Sequence, residues 1–539
     1  MSDQLGGVRS LLDTPDGALR ADAGAVRWSR QQGAAISWSP VPLPETVGET
    51  ADEAALRHDA FTLVIDDGSG HLHSGVSGAV PIYVDGAGPA TGAGSGADTA
   101  VHFCSRVEPL ARTRAGGLRP DWDAWAHILA AGAPLEGRTT FEGIRRLQPW
   151  SRVTADRSGR AELTAAGWPW LEGHEVGAAG AGGSGLEAVR AALLASVTEL
   201  GGRVALNPLL SGGWDSRILA TLAARASARP VTAWTTSSDT GTVMEELVAA
   251  KVAAQLGARH ELVPPRWDGF ADDLAMFARS VDYQTSFHVW LVPLARALVG
   301  TSGAVLDGLG GGLFVGGAFP DDDTDRPVLD KRFDLLARYL NGAEAVLDPR
   351  VVAQLTERTR ASFESVAKPL VDHPFGSTFT AYLTRTLPGI SLAPYGLMAS
   401  SAPVATPFLD NDVVRAALAI PPAEHADGRL YPELLRGIDA ELAQSPTALD
   451  LTPRPRRHPR RVASVEAASH VRGLLTREPV RRLLAPGLAE ADLDVWQGLL
   501  NQTRAQHLIR GLATLALWLE EYDDVLGGVG VDELLEGTR

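Results

Sequence analysis

The stretch Leu210-Ser211-Gly212-Gly213-Trp214-Asp215-Ser216-Arg217 decides how this chain is read. It follows an apolar run, RVALNPLL (203–210), that predicts a short buried strand, and it precedes 218–225, whose apolar spacing predicts a helix. Where a strand turns into a helix through two glycines, backbone N–H groups point inward without Cβ obstruction, and the helix start favours negative charge. Ser211 and Ser216 add hydroxyl donors. The string therefore describes a pyrophosphate cradle. Asp215 fits beside phosphate when a divalent cation lies between them, and a carboxylate is an ordinary magnesium ligand.

Outward from the loop, elements alternate. Leu186, Val189, Leu193, Val197 and Leu200 recur at helical spacing behind Ser184, a candidate cap. A strand (231–236), a helix (244–256) and a strand-like run (304–312) follow the loop. Such alternation predicts an α/β domain with a parallel sheet covered on both faces. From about 327 the chain reads as largely helical, with Leu508, Leu512, Leu515 and Leu519 on one stripe. Before the loop, 61–67, 80–85 and 100–105 are β-rich, 122–131 reads as a helix and the stretch from 146 begins another strand, which predicts an antiparallel α+β domain. The Gly/Ala-rich run 86–98 reads as a loop insertion, and 176–185 as the interdomain linker. Two domains are thus expected, 1–175 and 176–539, with no internal repeat.

Composition sets outer bounds. The chain has 539 residues, 49 Lys+Arg against 65 Asp+Glu, and a net charge of −16. An acidic balance offers no general attraction to phosphate backbones or anionic lipid, which excludes nucleic acid and membrane surfaces as main partners. Hydrophobic residues at 45% and charged residues at 21% argue for a folded chain. A single cysteine, Cys104, supplies neither an internal disulfide nor a thiolate metal cage. No run approaches the roughly 20 apolar residues of a membrane helix, and the first residues lack the apolar core of a secretory signal, so a cytoplasmic protein is expected. Lysine occurs only at Lys251, Lys331 and Lys368.

LLSGGWDSR resembles the pyrophosphatase loop of the asparagine synthetase superfamily, which includes β-lactam synthetases and lasso-peptide macrolactam synthetases. The segment 234–262 resembles that domain's second strand and helix, with Glu245, Ala249, Val252, Ala253, Leu256, Gly257 and His260 at familiar spacing. GLGGGLFVGG (308–317) lines up on the family's G-E-G-A-D-E-L-F-G-G, and TPFLDNDVVRAALAIPP (406–422) on its V-P-F-L-D-H block. Residues 75–85, 101–111 and 141–150 resemble the class II glutaminase half of the same enzymes. The resemblance implies an Ntn-like, glutaminase-like sandwich followed by an adenine nucleotide α-hydrolase-like (PP-loop) synthetase domain with a largely helical C-terminal part. It implies ATP and magnesium as cofactors. It assigns ATP and pyrophosphate contacts to Leu210, Ser211, Gly212, Gly213, Asp215, Ser216, Thr235, Gly308 and Gly310, with Asp215 as metal ligand and Asp215 and Ser216 as catalytic groups.

Several positions depart from the family. Ser2 stands where glutamine-using members expose a cysteine, and Val76 replaces the arginine of their D-R-x-G motif, so the glutaminase half is expected to be inert. Cys104 reads as core packing. Gly312 holds the place of the second magnesium aspartate; Asp307 or the run Asp321-Asp322-Asp323 are the candidates to compensate, the latter also reading as a solvated loop. Leu309 occupies the position of a glutamate or a proton-accepting tyrosine, and leucine accepts no proton. Alignment of 427–438 puts Pro432 at the family's catalytic lysine, leaving Arg429 or Arg436 to supply positive charge, against a plain reading as helix-surface arginines. The run Arg454, Arg456, Arg457, Arg460 and Arg461 reads either as a site for pyrophosphate or an acidic peptide, or as a solvated basic loop. His288, amid apolar residues on an expected helix, reads as a packed histidine, and Trp214 either lines an adenosine pocket or fills it.

The expectation is an ATP-dependent amide-forming synthetase: a carboxylate is adenylated, pyrophosphate leaves, and an amine displaces AMP. Loss of the glutaminase cysteine favours a small-molecule or peptide carboxylate with its own amine, as in a lasso-type macrolactam cyclase acting on a ribosomal peptide precursor alongside its processing protein. A lapsed paralogue that only binds nucleotide or peptide is the alternative, and a glutamine-hydrolysing asparagine synthase the third reading.

Overall fold

The computed structural model describes residues 8–10, 25–44, 50–66, 69–85, 101–114, 117–156, 161–172, 184–227, 230–237, 242–317, 326–425, 428–455 and 460–536. Before residue 175 these form ten strands: β1 (Val8–Ser10), β2 (Trp28–Gln32), β3 (Ala35–Ser39), β4 (Phe61–Asp66), β5 (Ser69–His73), β6 (Tyr83–Asp85), β7 (Val101–Cys104), β8 (Ile144–Arg146), β9 (Ser151–Ala155) and β10 (Ala161–Ala165). One sheet runs β1-β7-β6-β8 and the other, wholly antiparallel, β10-β9-β5-β4-β3-β2. Their inner faces meet where Trp38 stacks on Phe61 at 5.5 Å and Phe103 stands edge-on to both. The α+β expectation holds for this part, including the helix Trp122–Ala131.

Cys104 closes β7 at 1% exposure, and burial pushes its thiol up to about 12. A thiol kept neutral and shielded reacts slowly. The folded protein is therefore expected to resist a water-soluble thiol reagent at pH 8 and to react once denatured. Prompt labelling of the native chain would contradict this burial.

After residue 184 the strands are β11 (Leu206–Pro208), β12 (Thr232–Thr236), β13 (Arg259–Val263), β14 (Ala304–Leu306) and β15 (Val404–Ala405). β11, β14 and β15 pair in parallel, as do β12 and β13. A parallel bridge from Leu209 to Trp234, with the Leu210 amide donating to the Trp234 carbonyl at 2.8 Å, joins the two sets into the order β13-β12-β11-β14-β15. A parallel sheet is the predicted architecture, and its crossovers are helices, among them Trp214–Ala226 between β11 and β12 and Met244–Gln255 between β12 and β13. In such sheets the ligand crevice lies beyond the carboxyl ends of the strands. The long helices Pro349–Ala367 and Thr503–Glu521 belong to the helical C-terminal part.

The predicted linker lies almost wholly outside the described residues, yet the parts on either side of it share one core. Trp168 packs against Phe379 and Tyr382, and Trp170 against Tyr382 and Phe314. Arg106 pairs with Asp282 at 2.7 Å. The buried guanidinium of Arg146 donates to the carbonyls of Gly78, Ala79 and Leu387 and to the Ser391 hydroxyl. The continuous hydrophobic cluster therefore makes the front part a wall of the back part rather than an appendage.

Candidate active site

The loop after β11 is drawn tight by its own hydroxyls. Ser216 Oγ accepts from the Ser211 amide at 3.0 Å and lies 2.9 Å from Ser211 Oγ, which accepts from the Gly213 amide at 3.1 Å. Gly213, in extended conformation, caps a helix that starts at Trp214, four residues earlier than periodicity alone indicates. This puts Asp215 in the first turn. The Gly212 amide, expected to face phosphate, instead donates to the carboxylate of Glu245.

Beside the loop is a cavity of about 680 Å³, lined by Leu210, Ser211, Gly213, Asp215 and Ser216 and, beyond β14, by Asp307, Gly308, Leu309, Gly310 and Gly312. Gly310 adopts φ +95° and turns the chain into the short helix Gly311–Phe314, which ends the strand predicted over 304–312 at Leu306. A Cβ on Gly311 would overlap the Asp215 carboxylate, so a side chain here would force that aspartate to move.

Thr235 does not reach the cavity. Its hydroxyl donates to the Leu210 carbonyl at 2.7 Å and lies 2.9 Å from His260 Nε2. Strand alternation turns Trp234 and Thr236 inward instead. Trp214 does not line the cavity: the Arg217 guanidinium lies 4.9 Å from its ring centroid, and Arg217 itself donates to the carbonyls of Ser445 and Pro446.

Asp215 and Asp307 are the two carboxylates of the cavity lining. Burial pushes Asp215 up to about 7, helped by the charge of Asp307, and burial pushes Asp307 up to about 6. One Asp307 oxygen accepts from the Leu309 amide at 2.8 Å. Two recessed carboxylates with no cation among their electrostatic neighbours in the described residues are the donor set that a hard divalent ion suits. Asp307, one candidate to compensate for Gly312, lines the same cavity as Asp215, while Asp321, Asp322 and Asp323 lie outside the described residues.

The sequence reading missed Tyr431. Its hydroxyl donates to Asp215 Oδ1 and lies 4.0 Å from the position a Gly312 Cβ would take. Tyr431 lies on the buried face of the helix Leu430–Ile438, in register with Leu434, Leu435 and Ile438. A polar tip in that apolar stripe was the available signal. Arg429 and Arg436 do not come to the cavity: both are exposed, because the helix turns its apolar stripe inward and these two outward. Among the described residues the cation lining the cavity is Arg385.

His288 is not on a helix. It adopts φ +66° just before the short turn Val289–Leu291 and lines the cavity. Of the basic run, Arg461 is buried and pairs with Asp273 at 2.6 Å, Arg460 donates to Thr503 and Gln506, and Arg456 and Arg457 lie outside the described residues. Arg461 is therefore a structural ion pair rather than part of a solvated or ligand-binding loop. Among the described residues no helix is long and apolar enough to cross a membrane.

A search of curated proteins gave no match. The family described as asparagine synthase matches residues 188–520, well over half of the chain. The strand, loop and helix of the cradle, both cavity carboxylates and Tyr431 all fall within those residues, and the chain belongs to the asparagine synthase family of ATP-dependent, carboxylate-activating ligases.

Proposed function

We propose that this protein is an active synthetase that adenylates a substrate carboxylate and joins it to an amine carried by the substrate rather than by glutamine, as macrolactam-forming relatives do. The observation that carries this reading is one cavity holding both the Ser211–Ser216 cradle and the Asp215 and Asp307 carboxylates. In the reaction a substrate carboxylate oxygen attacks the α-phosphorus of ATP, pyrophosphate departs, and the amine nitrogen then attacks the acyl carbon and expels AMP. Ser211, Gly213 and Ser216 hold the departing phosphates, and the helix start behind them favours that charge. Magnesium, when bound by Asp215 and Asp307, would neutralise the charge between these carboxylates and the phosphates. The Tyr431 hydroxyl fixes one Asp215 oxygen and so aims the other at the cavity. Leu309 accepts no proton, so deprotonation of the amine falls to solvent or to the substrate.

Much of the remaining wall, including Trp290, Leu291, Leu294, Leu313, Ile390 and Pro394, is apolar, with Arg385 and His288 among it. Such a wall suits a peptide or a specialised metabolite better than free aspartate. The front part reads as a glutaminase-like remnant, supported by its two facing sheets, by the buried Val76 at the motif's arginine position and by the inert Cys104. A cytoplasmic location is part of the same reading.

The test is exchange of labelled pyrophosphate into ATP across a panel of carboxylates and peptides, with glutamine as control. Magnesium-dependent exchange with at least one of them is expected, and no ammonia from glutamine. Absence of nucleotide binding in saturating magnesium would favour the lapsed paralogue, whose support is that Tyr431 and Glu245 already engage Asp215 and the Gly212 amide. Ammonia release from glutamine would instead revive the glutamine-dependent reading.

A further inference from the structure

One stretch of the synthetase part is fastened to the front part at Asp282, Gln284, Thr285 and Phe287, and it ends in the cavity wall. Among the described residues five non-glycine positions adopt positive φ, and three of them, Asp282 (+49°), Tyr283 (+61°) and His288 (+66°), lie within seven residues. Aspartate and histidine visit the left-handed region more readily than most residues, but for a bulky tyrosine it is an outlier. Strained backbone persists where its surroundings over-determine it. Here those surroundings are the front part. The Asp282 carboxylate, 5% exposed, accepts from Arg106 Nε at 3.1 Å and Nη2 at 2.7 Å and from the Val107 amide at 2.9 Å. Gln284 Oε1 accepts from the Thr140 amide at 3.2 Å, and its Nε2 donates to the Thr140 hydroxyl at 3.0 Å and back to the Asp282 carbonyl at 2.8 Å. The Thr285 hydroxyl donates to the Gly132 carbonyl at 2.7 Å.

Phe287 completes the attachment. Gly132, at φ +95°, ends the helix Trp122–Ala131, and a Cβ there would stand 2.2 Å from the Phe287 ring. A Cβ on Gly389 would stand 2.9 Å from the same ring, and Gly389 belongs to the π-helix Tyr382–Ile390 that carries the cavity residue Arg385. The ring therefore touches the front part and the cavity wall at once. His288 follows directly and lines the cavity, as do Trp290, Leu291 and Leu294 after it. Packing alone does not require residues held in a rare backbone conformation; strain of this kind clusters where a geometry is set for a ligand.

We propose that the front part serves as the template for the substrate side of the cavity: through Arg106, Thr140 and Gly132 it holds residues 282–288 in their left-handed course and so sets His288, Trp290, Leu291 and Leu294 against the carboxylate substrate. Arg106 and Gln284 are positioning residues, since neither reaches the cavity lining. This rests on the synthetase reading, which gives that wall to the substrate and the Ser211–Ser216 loop to the nucleotide.

The test uses the full chain as wild type, Arg106→Gln, Arg106→Lys and Gln284→Ala. Amide hydrogen exchange read by mass spectrometry reports opening of the segment, and calorimetry reports the affinity for a non-hydrolysable ATP analogue with magnesium. Pyrophosphate exchange at saturating ATP, with the panel carboxylate that supports it best, reports the carboxylate concentration for half-maximal rate. In Arg106→Gln the amides of 284–294 are expected to exchange about tenfold faster or more, the scale of one lost hydrogen bond between charged groups, while those of 206–217 keep the wild-type rate. Gln284→Ala should act in the same direction and carries the test if Arg106→Gln fails to fold. In both, the carboxylate requirement should rise about tenfold with the affinity for the ATP analogue unchanged. Arg106→Lys should recover part of the loss, because lysine keeps the charge but not the forked geometry. The template is overturned if the thermal midpoint falls while 284–294 stay protected, if that segment loosens and the carboxylate requirement does not move, or if nucleotide affinity falls instead. Loosening confined to 284–294 in a protein that shows no pyrophosphate exchange with any carboxylate would leave the template standing and remove the synthetase reading.

Discussion

Asp215→Ala is expected to lower pyrophosphate exchange by about 10²–10³, the usual cost of removing a fixed electrostatic contact at a reacting phosphate. Asp215 is the carboxylate that the first helical turn presents to the cavity, and Asp307 alone would leave a metal with one protein ligand. Folding should survive. The alanine relieves a buried carboxylate of its desolvation. The thermal midpoint should therefore stay level or rise while exchange collapses. Normal turnover in a well-folded Asp215→Ala protein would remove this loop from the catalytic account.

Two neighbouring glycines should answer to substitution in opposite ways. In Gly311→Ala the new Cβ overlaps the Asp215 carboxylate and approaches the Phe408 ring at 3.1 Å, so the aspartate must move. A misplacement of that kind commonly costs about 10²-fold in rate. In Gly312→Asp the new Cβ finds Asp215 Oδ2 at 3.9 Å and the Tyr431 hydroxyl at 4.0 Å, ordinary contacts, and φ is not positive. A third carboxylate should enter without backbone strain and lower the magnesium concentration needed for half-maximal exchange. The check is a magnesium titration of both variants beside wild type. Equal activity in Gly311→Ala, or an unchanged magnesium requirement in a folded Gly312→Asp, would contradict this geometry.

What the sequence disclosed about this site was what is local along the chain. The cradle is legible because strand, glycines, serines and helix follow one another within about twenty residues. Asp307 could be named because it precedes a recognisable glycine string. Tyr431 and Arg385 stayed hidden because tertiary packing brings the first to Asp215, 216 residues away along the chain, and the second to the cavity. Likewise β2, with burial that never alternates cleanly, and β10, mostly exposed, carry no period-two pattern to read. His288 needed more than sequence because nothing in an apolar run announces a left-handed backbone. Thr235 illustrates a one-residue error, since in a strand the neighbouring residue faces the opposite side.

The buried guanidinium of Arg146 has a meaning for how such a chain changes over generations. It ties the carbonyls of Gly78 and Ala79 to Leu387 and Ser391, the latter just past the end of the π-helix that carries Arg385. Selection on the shape of the cavity is thereby selection on the front part, whatever chemistry that part performs. Splitting the gene between the codons for 172 and 184 would give two products, one with a buried cation that keeps only its Gly78 and Ala79 acceptors and the other with the Leu387 carbonyl and Ser391 hydroxyl stripped of that donor. Front-part residues that do not brace the π-helix are free to drift, while those that do are not.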